Sequence, residues 1–173
     1  MANTYVLISS NVLSGSAASV TFSSIPSTYT DLVLRTSART DVANYFDRFV
    51  FTFNSDSGSN YSNTYLAGSG SAASSNTASN ATSLNSSRAA TGSTATANTF
   101  SNTETYFPNY AANTNKPIGS FNVGENNATA AQMAVDAQLW RNTAALNSIT
   151  IAPGAGTNFV SGSSFYLYGV KNS

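Results

Sequence analysis

Apolar and polar side chains alternate along most of this chain, which is the pattern of half-buried β-strands. The run FDRFVFTFN places Phe49, Phe51 and Phe53 on one face of a strand, and SFYLYGV does the same with Phe165 and Leu167. Seven further runs share this character and are rich in β-branched and aromatic residues: TYVLIS, SVTFSS, TDLVLRTSAR, TETYF, IGSFNV, AVDAQLW and NSITI. The pattern therefore predicts nine short strands.

Segments rich in Gly, Pro, Asn and Ser separate these runs and are typical of turns. All four prolines, Pro26, Pro108, Pro117 and Pro153, lie at the ends of strand-like runs, where proline removes no hydrogen bond from a sheet. Only residues 126–134, NNATAAQMA, favour a short helix. Short strands joined by turns predict an all-β chain that forms a single antiparallel β-sandwich domain, jelly-roll-like, over residues 1–173.

One stretch departs from this pattern. Residues 67–99 contain a single charged residue, Arg88, and a single large apolar residue, Leu84. Such a composition leaves two interpretations, a disordered linker or an extended arm that becomes ordered against another subunit by strand addition. We expect an inserted arm or loop. The candidate residues for contact with a subunit or partner are Ser74, Asn80, Leu84, Arg88 and Thr94.

Charge is scarce and balanced, with seven basic and seven acidic residues making up 8% of the chain. This excludes the basic face with which a nucleic-acid-binding protein neutralises phosphates. It also argues against attraction to an anionic membrane, and no run approaches the roughly 20 apolar residues of a membrane span. The first ten residues do not have the pattern of a signal peptide, so we expect synthesis in the cytosol. A charge-poor surface is typical of a protein covered in an assembly.

The chain has no histidine and no cysteine. Catalytic triads built on histidine, thiolate nucleophiles and disulfides are therefore excluded, and a zinc site would need carboxylates alone. A pair of carboxylates remains, with Asp136, Glu104 and Glu125 as candidates. Asp136 falls on the polar face of its strand, where we expect it to be solvated, and nothing in the sequence brings two carboxylates together. The sequence predicts a protein that is not an enzyme and has no cofactor or metal.

Three other groups of residues have a structural and a functional interpretation. Residues 54–60, NSDSGSN, space oxygen-bearing side chains like a calcium loop, but one carboxylate, Asp56, predicts a turn instead. Tyr106 and Tyr110 could stack on sugars, although closing the end of the core is the favoured interpretation. The strand-associated arginines are expected to pair with Asp31, Asp47 and Asp136 or with acids of a partner; they are Arg35, Arg39, Arg48 and Arg141.

Several segments together resemble small structural proteins of tailed phages, especially phages of cyanobacteria. The resemblance is strongest in FNSDSGSNYS, in NTAALNSITI and in the ending YLYGVKNS, and it covers most of the chain. It implies a virion component assembled in the host cytoplasm, and it carries no catalytic residues to transfer.

The resemblance favours a capsid decoration, or cement, protein that binds the major capsid protein or another virion protein as a homo-oligomer, with a trimer expected. The alternative is a tail or fibre module that binds a host surface glycan through tyrosines and asparagines. A third hypothesis, a polysaccharide lyase or hydrolase, would depend on Asp136. Neither nucleic acid nor a membrane is an expected partner.

Overall fold

A computed structural model describes residues 4–126 and 131–171 of the chain. Within them, twelve antiparallel strands form two sheets. The strands are β1 (Tyr5–Val12), β2 (Val20–Phe22), β3 (Asp31–Ser37), β4 (Phe46–Phe53), β5 (Tyr61–Gly68), β6 (Ala73–Ala81), β7 (Leu84–Thr91), β8 (Asn102–Phe107), β9 (Lys116–Asn126), β10 (Ala131–Trp140), β11 (Ile149–Pro153) and β12 (Ser164–Val170). No helix of the described residues is long and apolar enough to span a membrane.

The two sheets contain a jelly roll. The large sheet has the order β1-β12-β3-β8-β9-β10-β5-β6, and the small sheet has the order β2-β11-β4-β7. The first four strands of the large sheet and the four of the small sheet together have the eight-strand, two-sheet arrangement of a jelly roll. The predicted all-β sandwich is therefore confirmed.

Two hairpins enlarge this jelly roll. The hairpin β5–β6 is inserted between β4 and β7, and the hairpin β9–β10 is inserted between β8 and β11. They join side by side because β10 pairs with both β9 and β5, while β9 continues the sheet from β8. We call these four strands the extension. It lengthens one sheet to eight strands and leaves β6 as an unpaired edge.

An aromatic core fills the jelly roll between the two sheets. Phe49, Phe51 and Phe53 of β4 point inward, as predicted, and are fully buried. Phe53 packs against Tyr61 at the start of β5 and Trp140 at the end of β10, with ring centroids 5.9 and 5.5 Å away, so this end of the extension joins the core. The other large apolar side chains of the core include Leu32, Leu34, Phe107, Phe159, Phe165 and Leu167. Burial of this apolar surface is the main driving force for the fold.

All nine strands predicted from alternation are present, and three further strands were missed. The missed strands are β5, β6 and β7. Residues 67–99 supply the end of β5, all of β6 and β7, and the loop that follows them. This corrects the expectation of an arm ordered by another subunit, because main-chain hydrogen bonds to β5 and β4 order the segment within its own chain.

The prediction of a helix over residues 126–134 is wrong for the residues that the structure describes, which are 126 and 131–134. Asn126 ends β9, and residues 131–134 begin β10, so the two strands form a hairpin. Residues 127–130 lie outside the described residues. Small residues such as Ala131 and Ala134 are compatible with either structure, and pairing with β9 and β5 determines the outcome here.

Candidate functional site

Strand β10 turns its polar face inward, opposite to the expectation. Asp136 is only 2% exposed, whereas its neighbour Val135 is 51% exposed. The prediction that Asp136 is solvated is therefore wrong. The reason is that β7 lies across the inner face of the extension and presents polar groups to it, including the Ser87 main-chain N–H, which donates to the Asp136 carboxylate over 3.0 Å.

Polar side chains line much of the interior of the extension, in contrast to the aromatic core beside it. Asn122 Nδ2 donates to Asp136 Oδ2 over 2.6 Å and to the Ser87 carbonyl oxygen over 2.8 Å. Gln138 Nε2 donates to the Asn85 carbonyl oxygen over 2.8 Å. The buried polar side chains of this region are Asn63, Ser86, Thr103, Thr105, Ser120, Asn122, Gln132, Asp136 and Gln138. Most of them satisfy one another, as buried polar groups must.

Burial raises the pKa of Asp136 to about 6, although hydrogen bonds from Ser87, Asn122 and Ser86 and the charge of Arg88 oppose the rise. A carboxyl group with such a pKa is often catalytic. Here it is sealed between the sheets at 2% exposure and is surrounded by groups that hold it in place. Its geometry is that of a buried structural acid.

The turn predicted around Asp56 is confirmed. The Asp56 carboxylate accepts hydrogen bonds from Gly58 N, Asn60 Nδ2 and Trp140 Nε1 at 2.8 to 3.2 Å, and from Asn142 Nδ2 at 3.3 Å. Burial alone would raise its pKa, but these hydrogen bonds outweigh it and hold the pKa at about 2. The carboxylate ties the turn to the end of β10.

Two more aspartates fix the loop that follows β11. Asp47 accepts hydrogen bonds from the main-chain N–H groups of Ala155 and Gly156, each over 3.0 Å. Asp41 accepts from those of Thr157 and Asn158 over 2.7 and 3.0 Å. The hydrogen bonds, first of all that from Asn158, lower the pKa of Asp41. Both carboxylates therefore serve loop structure.

The two tyrosines of the YFPNY segment have different environments. Tyr110 is fully buried and its hydroxyl donates to the Pro26 carbonyl oxygen, which confirms the interpretation as part of the core. Tyr106 is exposed on the outer face of the large sheet, so that interpretation is wrong for it. Its hydroxyl donates to Asp31 Oδ2 over 2.7 Å, and this bond raises the Tyr106 pKa to about 12.

Among the described residues, none of the strand arginines forms the expected salt bridge with Asp31, Asp47 or Asp136. Arg35 pairs instead with Glu104 on the outer face, over 2.8 Å. The other three arginines donate to neutral oxygens. Long arginine side chains reach main-chain carbonyl groups of adjacent loops more readily than the few acids this chain offers. These three arginines are Arg39, Arg48 and Arg141. Arg39 donates to four main-chain carbonyl groups between residues 93 and 99.

Lys116 is buried and also has no carboxylate partner among the described residues. Its ammonium group donates to the carbonyl oxygens of Ala112, Thr114 and Asn142, and burial lowers its pKa. The sequence did not single it out. The ammonium group is enclosed by main-chain carbonyl groups of two loops and closes that end of the sandwich.

A cleft of about 390 Å³ opens where the extension overhangs the edge of the small sheet. Its walls come from β4 and β7 on one side and from β5 and β6 on the other. It contains two arginines, two aromatic rings, several amide groups and one carboxylate. Its lining includes Phe46, Asp47, Arg48, Asn63, Tyr65 and Arg88.

Arg88 is held rigidly in this cleft. Its guanidinium lies 5.0 Å from the ring centre of Phe46 and 5.4 Å from that of Tyr65. Nε donates to Gln132 Oε1, and the two terminal nitrogens donate to Ser87 Oγ and Ser74 Oγ. A bulge in β7 positions the residue, whose φ of 52° is costly for a side chain of this size.

The opposite, outer face of the extension is apolar. Leu66 pairs with Val135, and Val135 pairs with Phe121 across three neighbouring strands. Met133 lies two residues before Val135 on the same face. The four side chains are 62%, 51%, 48% and 48% exposed for Leu66, Val135, Phe121 and Met133. We call them the apolar face.

The five residues predicted to contact a subunit or partner do not form one surface. Leu84 is fully buried in the core, which excludes the contact role for it. Ser74 and Arg88 meet at the cleft, where Arg88 Nη2 donates to Ser74 Oγ over 3.3 Å. Asn80 accepts from Arg141 near the end of β6, and Thr94 is exposed in the loop after β7.

Two of the three candidate catalytic carboxylates, Glu104 and Asp136, have different environments and do not form a pair. Glu104 belongs to the surface pair with Arg35, and Asp136 is enclosed. Glu125 belongs to β9, and its side chain lies outside the described part. No cluster of three metal-binding side chains occurs in residues 4–126 and 131–171.

Comparison with family models, curated proteins and solved structures finds no match for the chain.

Proposed function

We propose that the chain is a non-enzymatic structural protein of a virus particle, which assembles with further copies of itself and with the shell through the apolar face. The observation that carries this proposal is the exposure of four large apolar side chains on three adjacent strands. Contiguous apolar surface of this kind marks interaction sites in proteins that are otherwise polar outside. The resemblance to small phage structural proteins is consistent with it.

The energetics favour covering this face. Burying the exposed half of each side chain contributes about 1 kcal/mol by its apolar area. In a symmetric oligomer the same patch is used on every copy, so these contributions repeat at each contact. Among the described side chains, the nearest charges on the same sheet face are Arg35 and Glu104, which neutralise each other over 2.8 Å. Little desolvation of unpaired charge therefore opposes association.

The edge beside the apolar face supports the same role. Strand β6 is nine residues long and carries neither charge nor proline. Soluble proteins protect exposed edges with such residues, because an open edge accepts another strand. A bulge at residues 79–80, where Asn80 has a φ of 54°, interrupts only the end of this edge. The open edge over residues 73–78, next to an apolar face, suits a protein that is covered in its assembly.

Sedimentation of the purified chain tests the association. We expect wild-type oligomers that grow with concentration, a shift of Val135→Glu toward monomer, and no shift for Thr21→Glu. Thr21 is the matched control because it is exposed on β2 of the small sheet. A wild-type chain that stays monomeric at high concentration refutes association through this face.

Quantitative mass spectrometry of purified virus particles tests the placement. Hundreds of copies per particle support a shell position as a decoration protein, whereas a few dozen support the tail. Particles that lack the chain although they come from cells that express it contradict the proposal.

A further inference from the structure

The cleft between the extension and the small sheet is separate from the apolar face, because Asn63 and Tyr65 lie on the inner side of β5 and Leu66 lies on the outer side. We propose that this cleft binds an acidic sugar, a pyranose that carries a carboxylate. The inference does not depend on the proposed function. It rests on the arginines, the aromatic rings and one unpartnered amide oxygen.

The two arginines retain donors for an anion. A guanidinium has five N–H groups. Arg48 uses Nε on Asn85 Oδ1 and one Nη2 hydrogen on the Gly154 carbonyl oxygen, at 3.1 and 3.0 Å, so Nη1 makes no hydrogen bond within the described residues. Arg88 makes three side-chain bonds and keeps two N–H groups. Neither forms an ion pair with a described carboxylate.

The single carboxylate in the cleft wall does not cancel this charge. Asp47 is 3% exposed, and its two oxygens already accept main-chain hydrogen bonds from Arg48, Ala155 and Gly156. Within the lining, two guanidinium groups face one engaged carboxylate, which gives the cleft surface an excess of positive charge. Asp136, which also interacts with Arg88, lies buried behind β7 and outside this lining. Planar guanidinium donors fit a carboxylate especially well, since two parallel hydrogen bonds can form.

One side chain in the cleft, Asn63, has a hydrogen-bond acceptor without a donor. Asn63 is 8% exposed, and its Oδ1 is buried with no hydrogen-bond partner. Leaving a buried acceptor unpaired destabilises the folded chain. A ligand hydroxyl would satisfy it once the Asn63 amide turns its oxygen toward the cleft, because that oxygen is buried from solvent in the unliganded chain. The cleft thus requires one negatively charged group and at least one hydroxyl donor on the same ligand, which describes an acidic sugar better than a simple anion.

The size and lining of the cleft agree with this ligand. About 390 Å³ falls within the range of roughly 300–1,000 Å³ for small-molecule sites. The Tyr65 and Phe46 rings form an apolar wall, and they already hold Arg88 in position. A rigid, preorganised guanidinium loses little freedom on binding. One monosaccharide unit can therefore place its carboxylate at the arginines and a hydroxyl at Asn63.

Titration of the full chain with methyl glucuronide, followed by NMR chemical shifts, tests the site. We expect saturable binding of the glucuronide and at least tenfold weaker binding of methyl glucoside, which lacks the carboxylate. Arg48→Gln should weaken glucuronide binding about tenfold or more, because a charge-assisted bond is lost. Arg141→Gln is the matched control and should leave binding unchanged, since Arg141 donates to Ser59 and Asn80 outside the cleft lining.

Asn63→Ala separates binding from folding. It removes a buried acceptor that has no partner, so the denaturation midpoint should stay unchanged or rise while glucuronide binding weakens about fivefold or more. Equal binding of glucuronide and glucoside, or no binding of either, overturns the proposal. Binding of inorganic phosphate as tight as that of glucuronide and unaffected by Asn63→Ala also overturns it, because the cleft would then be a simple anion site.

Discussion

Replacing Asp136 with asparagine should change how the stability of the protein depends on pH. The folded-state pKa of Asp136 is raised to about 6 from the ordinary value of 3.8, chiefly by burial between the sheets. A group of this kind stabilises the fold fully below its unfolded pKa, and this contribution is lost as pH rises through the folded value. The difference in pKa corresponds to about 3 kcal/mol in total, of which about 2 kcal/mol lies between pH 4.5 and 8.

Urea unfolding of wild type and Asp136→Asn, followed by fluorescence of the single tryptophan, measures this effect. Trp140 is fully buried in the core, so its emission reports global unfolding. The stability of wild type relative to the variant should fall by about 2 kcal/mol from pH 4.5 to pH 8. Asp41→Asn is the control, because the pKa of Asp41 is lowered and its titration lies below this window. A wild-type-to-variant difference that is constant with pH would refute the buried, ionisable environment described for Asp136.

Three further outcomes follow from the structure. Asp56→Asn should cost about 1–3 kcal/mol at pH 7 by disturbing the bond from Trp140 and the turn, and it should remove the part of wild-type stability that is lost as pH falls from about 4 to about 2 in acid-unfolding curves. Gly169→Ala should destabilise by about 2 kcal/mol in urea unfolding because its new Cβ would lie 2.3 Å from a tyrosine ring, whereas Gly119→Ala meets nothing within 4 Å and should stabilise by about 0.5 kcal/mol. Arg39→Lys should release the loop after β7, because the four terminal N–H groups of the Arg39 guanidinium hold four of its carbonyl groups and an ammonium group has only three donors; limited proteolysis should then cleave that loop faster than in wild type.

Alternation predicted seven of the eight jelly-roll strands, because they carry large apolar side chains on their inward face, as in the Phe49, Phe51 and Phe53 series, and it also predicted β9 and β10 of the extension. It failed for β5, β6 and β7. Strand β6, ASSNTASNA, is mostly exposed on both faces and is held by main-chain pairing to β5, so its sequence contains no apolar period to detect. Strand β7 faces a polar interior, where Ser86 replaces the expected apolar side chain.

The orientation of β10 shows why the site was harder to predict than the fold. Its sequence alternates as expected, but the hydrophobic set Met133 and Val135 faces solvent and Asp136 faces the interior. A one-residue shift in register reverses the faces of a strand, and only the partners across the sandwich determine which face is buried. The cleft is equally non-local, because Arg48, Tyr65 and Arg88 come from three strands of both sheets.

The two inserted hairpins carry every feature that distinguishes this molecule from a plain jelly roll. The apolar face lies on their outer side, while their inner side contributes the polar interior and one wall of the cleft. The jelly roll itself is closed by an aromatic core and by carboxylates that hold its loops.

The most direct test of the central claim, that the apolar face is covered in the assembled protein, is peroxide oxidation of Met133. In the isolated chain Met133 is 48% exposed, so its thioether is accessible to the oxidant. Mass spectrometry should show rapid oxidation of Met133 in dilute wild type and in Val135→Glu, and strong protection in concentrated wild type. Equally rapid oxidation of Met133 in wild-type oligomers and in monomers would contradict the account.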